Sequence, residues 1–241
     1  MPFEAPARSA AETTADEINA RFGPKDACGV IAHALTHHGR IALVSSFGAE
    51  SVVLLHMAAS IDRAVPVLFV NTGMLMAETP AYQARVAERL GLSNLQVVKP
   101  DPVALLTRDT DGLLHLADTD GCCALRKTEP LARALAPFDG WITGRKRIHG
   151  GQRVALDLAE TDGARLKLNP LAHWSSREIA TYMAAHDLPR HPLEAKGFTS
   201  IGCAPCTSPA RPGESPRAGR WRGADKTECG IHFINGKAVR T

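Results

Sequence analysis

No stretch of this sequence is long and apolar enough to cross a membrane as a helix, for which about 18 residues would be the least. Neither sign of charge dominates. With 28 lysines and arginines against 25 aspartates and glutamates, the net charge of +3 is too small to imply a nucleic-acid partner. The opening residues, Met1-Pro-Phe-Glu-Ala-Pro6, lack the basic start and apolar stretch of a secretory leader. No internal repeat occurs, and no Gly-Lys-Ser/Thr makes a Walker loop. These absences argue against a membrane span and a nucleic-acid binder, and they place the chain, as an expectation, in the cytoplasm. The rest is ordinary globular material: 44% hydrophobic and 22% charged residues over 241 positions suit one large α/β domain or two small ones.

Periodicity organises the chain into three stretches. Residues 1–39 are an N-terminal helical segment; its first 26 residues are Ala-, Thr- and charge-rich, with a short helix expected around Asp16–Phe22. Residues 40–206 alternate short apolar runs with helical patterns. Strands are expected at Ile41–Ser45, Val65–Val70, Leu95–Lys99 and Trp141–Gly144, with an added edge strand at Arg165–Asn169. Helices are expected at Ser51–Ala59, Thr79–Leu90 with Gly91 as its C-cap, Leu125–Leu135, and Ser175–His186 opened by a Ser175/Glu178 capping box. Strand, helix, strand in repetition implies βαβ units and a parallel sheet. From Pro189 the chain is rich in Pro, Gly and Arg, and residues 207–241 read as a loop-rich tail.

The loop Ser45-Ser-Phe-Gly-Ala-Glu-Ser51 lies between the first strand and its helix. Small residues there let backbone N–H groups and hydroxyls face an anion at a helix N-terminus. It resembles a degenerate pyrophosphatase-type nucleotide loop, and taken alone it is equally compatible with a plain strand–helix turn. The next strand ends in Phe69-Val-Asn-Thr-Gly73. Ligands of open α/β sheets bind at the carboxyl ends of strands, so both segments face one crevice. Ser45, Ser46, Phe47, Gly48, Ser51, Phe69, Thr72 and Gly73 are the candidate nucleotide contacts.

Five of the six cysteines fall into a pattern. Cys122 and Cys123 are adjacent, Cys203 and Cys206 form Cys-Ala-Pro-Cys, and Cys229 stands alone in Lys226-Thr-Glu-Cys-Gly-Ile-His232. Two close pairs read as an iron–sulfur or zinc site, with unused thiols as the remaining alternative. Adjacent cysteines are awkward for two bonds to one tetrahedral zinc, whereas a [4Fe–4S] cube offers each thiolate its own iron. Cys28 has no partner and reads as a small buried hydrophobe. Cys229, with Lys226 and His232 nearby in sequence, has the cationic surroundings of a nucleophile, and taken alone it reads equally as a surface cysteine in a mobile tail. Lys127, Arg217, Arg220 and His232 are the candidates to neutralise a polyanionic substrate; Arg126, Arg145 and Lys146 are further basic residues near these motifs. The remaining histidines form no constellation and read as structural.

These motifs together resemble the assimilatory adenylyl-sulfate (APS) reductases, relatives of the 3′-phosphoadenylyl-sulfate (PAPS) reductases. The resemblance runs from about residue 40 to residue 233. Its carriers are the 45–51 loop, Asn71-Thr-Gly73, Cys122-Cys-Ala-Leu-Arg-Lys127, Trp141-Ile-Thr-Gly-Arg145, Gly202-Cys-Ala-Pro-Cys206, Arg217-Ala-Gly-Arg220 and Lys226-Thr-Glu-Cys-Gly-Ile-His232. It implies a Rossmann-like sheet of the adenine-nucleotide alpha-hydrolase type. It implies a [4Fe–4S] cluster on Cys122, Cys123, Cys203 and Cys206, and Cys229 as nucleophile. The expected partner is thioredoxin or glutaredoxin, and a homo-oligomer is compatible with the sequence. Cluster cysteines imply APS over PAPS. Two departures stand out: Trp221-Arg-Gly-Ala-Asp225 replaces an aromatic and acidic run, and Arg145-Lys-Arg-Ile-His-Gly-Gly-Gln-Arg153 leaves the substrate arginine open between Arg147 and Arg153.

Two other classes of function compete. A tRNA sulfurtransferase with a nucleotide loop would show a stronger basic surface. A non-catalytic zinc module would purify colourless, without iron and sulfide.

Overall fold

The computed structural model describes residues 8–224 together with Lys226, Glu228, Phe233–Ile234 and Lys237–Ala238. Its centre is a six-stranded sheet of β1 (Ile41–Ser45), β2 (Val67–Val70), β3 (Leu95–Val98), β4 (Gly140–Thr143), β5 (Ala159–Asp162) and β6 (Arg165–Leu168), in the order β3-β2-β1-β4-β6-β5. All neighbours pair in parallel except β5 with β6. The α/β parallel architecture expected from the sequence is present. The segment at 165 is not the edge, however: β6 lies between β4 and β5, and the antiparallel β5 forms the border. Burial on both faces explains why the apolar runs of the central strands show no strict alternation. In β1, Leu43 packs into the core on one face and Ala42 into that on the other; Phe69 and Leu68 divide in the same way in β2.

Helices cover both faces. On the larger core lie α1 (Ala10–Arg21), α2 (Ala27–His37), α3 (Ser51–Ile61), α4 (Glu78–Leu90) and α9 (Ser176–Ala185). α2 is a helix that the sequence reading leaves unassigned. Asp26 caps it, accepting from Gly29 N at 2.9 Å, and Val30, Ile31 and Ala34 are buried. Cys28, on this helix, is exposed and not the buried hydrophobe expected. The signals at the ends of α4 and α9 act as expected: Gly91 adopts φ 65° at the C-cap, and Ser175 and Glu178 form a capping box. α1 starts earlier than expected and guards the sheet border. The Asn19 amide donates to Ala159 O and accepts from Ala159 N, both at 2.9 Å, satisfying backbone groups of β5 that would otherwise stand open.

Four helices follow β3: α5 (Pro102–Arg108), α6 (Leu114–Ala117), α7 (Thr119–Cys123) and α8 (Glu129–Leu135). Leu131 and Leu135 of α8 fill the second core against Trp141 and Leu68. Between α7 and α8, residues Ala124–Thr128 form a π turn, and Leu125–Thr128 are all buried. The helical stretch therefore begins before Leu125 and carries the adjacent cysteines. A two-stranded antiparallel ribbon, β7 (Phe233–Ile234) with β8 (Lys237–Ala238), lies near the C-terminus. Among the described residues, no helix is long and apolar enough to cross a membrane.

Candidate active site

The carboxyl ends of β1, β2 and β4 open into a cleft with a volume of about 220 Å³. Ser45, Ser46, Gly48 and Ser51 line one side of it. The loop holding them is built by Phe47, which adopts φ 48°, has its N–H bonded to Ser45 Oγ at 3.1 Å, and is fully buried. Its ring meets Phe69 edge to face at 5.1 Å. Phe47 and Phe69 therefore sit in the core beneath the loop, not on the cleft wall. With Phe47 turned inward, the flanking serines and Gly48 face the cleft. No side chain caps the first turn of α3, leaving that N-terminus to favour an anion.

Much of the remaining lining is basic. Lys127, Arg145, Lys146, Arg153, Arg217 and Arg220 all line the cleft. Arg147 does not: it donates to Leu156 O at 2.6 Å and pairs with Asp157 at 3.2 Å. Of the two arginines left open by the sequence, Arg153 is the one on the cleft. Arg220 stacks over Trp221 at 4.4 Å and donates to Ile201 O at 3.3 Å. A Cβ at position 202 would stand 2.4 Å from the Arg220 guanidinium, so glycine is what lets Arg220 cross there.

Among the cleft residues that the sequence reading does not assign to the site are Glu50, Trp221 and His149, the last of which it takes as structural. Glu50 Oε2 is 2.9 Å from Lys146 Nζ and 3.6 Å from His149 Nε2. Burial opposes the charge on Glu50, but His149 and Lys146 outweigh it and hold the carboxyl down at about 2. Burial lowers the pKa of both His149 and Lys146. His149 Nδ1 also meets Arg153 Nη1 at 3.2 Å. An imidazole protonated on Nε2 alone accepts from Arg153 at Nδ1 and turns its Nε2–H toward Glu50, 3.6 Å away. The signal for Glu50 was its place in the serine loop; His149 and Trp221 had none.

Beside the cleft is a smaller cavity, lined by Cys122, Cys123, Cys203 and Cys206 and by Met74, His115 and Arg126 among others. Residues far apart in sequence meet here for identifiable reasons. Asp118 caps α7 by accepting from Gly121 N at 2.8 Å, which sets the two adjacent cysteines in its last turn. Cys203 pairs as an antiparallel bridge with Leu75, and Ala204 N donates to Met74 O at 2.8 Å. Gly73, at φ 72°, turns this β2 loop without lining the cleft. Thr72 lines the cleft, and its hydroxyl lies 3.2 Å from Cys203 Sγ. Burial, then the neighbouring Cys123, pushes the Cys122 thiol up to about 11, and burial raises Cys206 as well. Such thiols ionise only when something positive takes the charge. Among the described residues, no three histidine, cysteine, aspartate or glutamate side chains converge on a single metal ion.

Lys127 and Cys203 line both cavities, so the thiol chamber and the basic cleft share a wall. Cys229 and His232 lie outside the described residues.

Residues 40–209 match the phosphoadenosine phosphosulfate reductase domain. An adenosine 5′-phosphosulfate reductase of Mesorhizobium japonicum is 54% identical over 196 residues, spanning 81% of this chain and 77% of the relative. One from Chelativorans is 49% identical over 226 residues, spanning 92% of each. A phosphate-complexed phosphoadenylyl-sulfate reductase of Candida auris shares the fold with a TM-score of 0.69 at 23% identity, over 84% of this chain and all of that one. A family domain matched over most of the chain and relatives at about half identity make this chain a member of the phosphoadenosine phosphosulfate reductase domain family.

Proposed function

We propose that this protein is an oxidoreductase that reduces adenylyl sulfate to sulfite and AMP in sulfate assimilation. The observation that carries the reading is the shared wall: four thiols and a nucleotide-sized basic cleft meet at Lys127 and Cys203. In this reading residues 40–206 hold the nucleotide and the thiol chamber, and 207–241 form the tail that bears the nucleophile. Both relatives above carry the name of the APS enzyme.

The AMP moiety lies along Ser45, Ser46, Gly48 and Ser51, with its phosphate toward the N-terminus of α3. Lys127, Arg153, Arg217 and Arg220 surround the phosphosulfate and neutralise charge on its oxygens. Cys229 thiolate attacks the sulfate sulfur. The bond from sulfur to the bridging oxygen breaks, AMP departs with that electron pair, and the cysteine becomes an S-sulfocysteine. His232, next to it in the tail motif, completes the cationic group. A thiolate of a thioredoxin- or glutaredoxin-type dithiol then attacks Cys229 Sγ, sulfite leaves, and the second thiol of that dithiol frees Cys229. The dithiol supplies both electrons, a chemistry suited to the cytoplasm.

Cys122, Cys123, Cys203 and Cys206 fit a [4Fe–4S] cluster. They share one chamber, and burial raises the Cys122 and Cys206 thiols. When bound, the cluster supplies a cross-link between α7 and the 203–206 turn and a fixed charge beside Lys127.

The test is sulfite release from APS and from PAPS, each with thioredoxin, using anaerobically purified protein analysed for iron and sulfide. APS is expected to be preferred. Without reductant, mass spectrometry is expected to find an SO3 adduct on Cys229, and Cys229→Ser to abolish both. An adduct on Cys28, or equal kcat/KM for the two nucleotides, would overturn the respective assignment.

A further inference from the structure

Glu228 is the residue before Cys229 in the chain, and its carboxylate is buried against the basic wall. Arg153 grips it with both prongs, Nε to Oε1 at 2.6 Å and Nη2 to Oε2 at 2.7 Å. Arg217 Nη2 stands 3.5 Å from Oε2. A bidentate arginine–carboxylate pair fixes direction as well as distance, because guanidinium and carboxylate must be near coplanar. The grip is itself aimed: Arg153 donates to His149, which contacts Glu50 of the nucleotide loop. Two residues earlier, Lys226 forms an ion pair with Asp120 of α7, the helix that carries the adjacent cysteines. The tail is thus tied at alternate residues, by a cation to the thiol chamber and by an anion to the arginine wall.

We infer that Glu228 is a positioning residue, whose carboxylate seats the tail on Arg153 and Arg217 so that the next residue in the chain is presented to a substrate held in the cleft. This rests on the reading of Cys229 as the nucleophile. Glu228 itself touches neither the substrate nor the reacting atoms. Its work is to make attack effectively intramolecular with a short tether, and such an interaction acts on turnover more than on nucleotide affinity. A buried carboxylate on two cationic walls otherwise has one other meaning, that of an internal anion competing with the substrate for the arginines. The two meanings predict opposite kinetics.

The experiment compares wild type, Glu228→Gln and Glu228→Asp in full-length protein. Nucleotide Kd and KM for APS are expected to stay within about threefold in Glu228→Gln, while kcat and the single-turnover rate of SO3 adduct formation fall by about tenfold or more. Trypsin cleavage of the Lys226–Thr227 bond in the native protein, followed by mass spectrometry, is expected to speed up by about tenfold or more in Glu228→Gln. Glu228→Asp keeps the charge and is expected to fall between the two. Tighter APS binding with raised kcat/KM in Glu228→Gln would make the carboxylate a competing anion and overturn the proposal. Unchanged kcat and unchanged cleavage would overturn it as well, as would a Glu228→Asp variant no better than Glu228→Gln. If wild type releases no sulfite and forms no adduct, the functional reading fails, and the cleavage assay still decides whether Glu228 holds the tail.

Discussion

The hydroxyl of Thr72 lies 3.2 Å from the sulfur of Cys203, across the loop that ends β2. Thr72 O meanwhile accepts from Arg126 Nη1 at 3.0 Å. One residue of the nucleotide crevice therefore touches the thiol chamber from both its side chain and its backbone. Cys203→Ser is expected to abolish bound iron and sulfide, because a serine hydroxyl does not replace a thiolate ligand. Thr72→Val, which leaves all four thiols in place and removes only the hydroxyl's contacts with Cys203 Sγ and Met74 N, is expected to retain them. Metal analysis and visible absorbance of both variants check this; a full iron content in Cys203→Ser would refute the four-thiol site.

Arg126 is held for structural reasons. Its Nε and Nη2 meet Asp109 Oδ2 at 2.9 and 2.5 Å, with the Asp109 side chain fully buried. Asp109→Asn leaves a buried guanidinium without its counter-charge, which costs about 3–5 kcal/mol. Urea unfolding is expected to show that loss. A loss below about 1 kcal/mol would mean that the pair is hydrated rather than buried.

The arginines of the cleft differ from those around it. Arg217→Ala and Arg220→Ala are each expected to raise KM or lower kcat for APS by roughly tenfold to a hundredfold, the effect of losing a charged hydrogen bond worth about 1.5–3 kcal/mol. Arg147→Ala is the internal control. Its guanidinium serves Leu156 O and Asp157 outside the cleft, so its kinetics are expected to stay near wild type. Arg8→Ala, exposed just before α1 and paired with Asp16, is a second control. Steady-state kinetics of the four variants decides the matter.

Lys167 on β6 provides a pH test. Burial, then the charge of Arg145, pushes its ammonium down to about 8, although Glu160 stands 3.9 Å away and the ring of Trp141 lies below it at 5.3 Å. A lysine with a lowered folded pKa costs stability while it is protonated in both states. Between pH 8 and its ordinary value of 10.5 the unfolded chain holds the proton and the folded one does not, so stability rises with pH. The whole span is on the order of 3 kcal/mol. Lys167→Met is expected to be more stable than wild type at pH 7, with the gap closing toward pH 10, as measured by urea titration at several pH values. A gap independent of pH would refute the burial penalty.

Much of this protein is decided by local pattern. The βαβ order, the Gly91 and Ser175 signals and the serine loop depend on neighbours within a few residues, where periodicity and capping act, so they are legible in the chain. The cysteine pairs are legible as motifs, and the structure brings all four of their thiols to one chamber. What the tertiary structure alone decides is which charges face which. Arg147 and Arg153 look interchangeable in a basic segment; one faces Asp157 and the other the cleft because two short 3-10 turns separate them. Phe47 belongs to the core because its backbone turns left-handed, a conformation that no apolar pattern announces. The border strand is β5 because Asn19, remote in sequence, satisfies its edge. Buried ion pairs such as Arg153 with Glu228 join residues with no shared local signal. Their pairing follows from the expense of burying an uncompensated charge, and that depends on the whole fold.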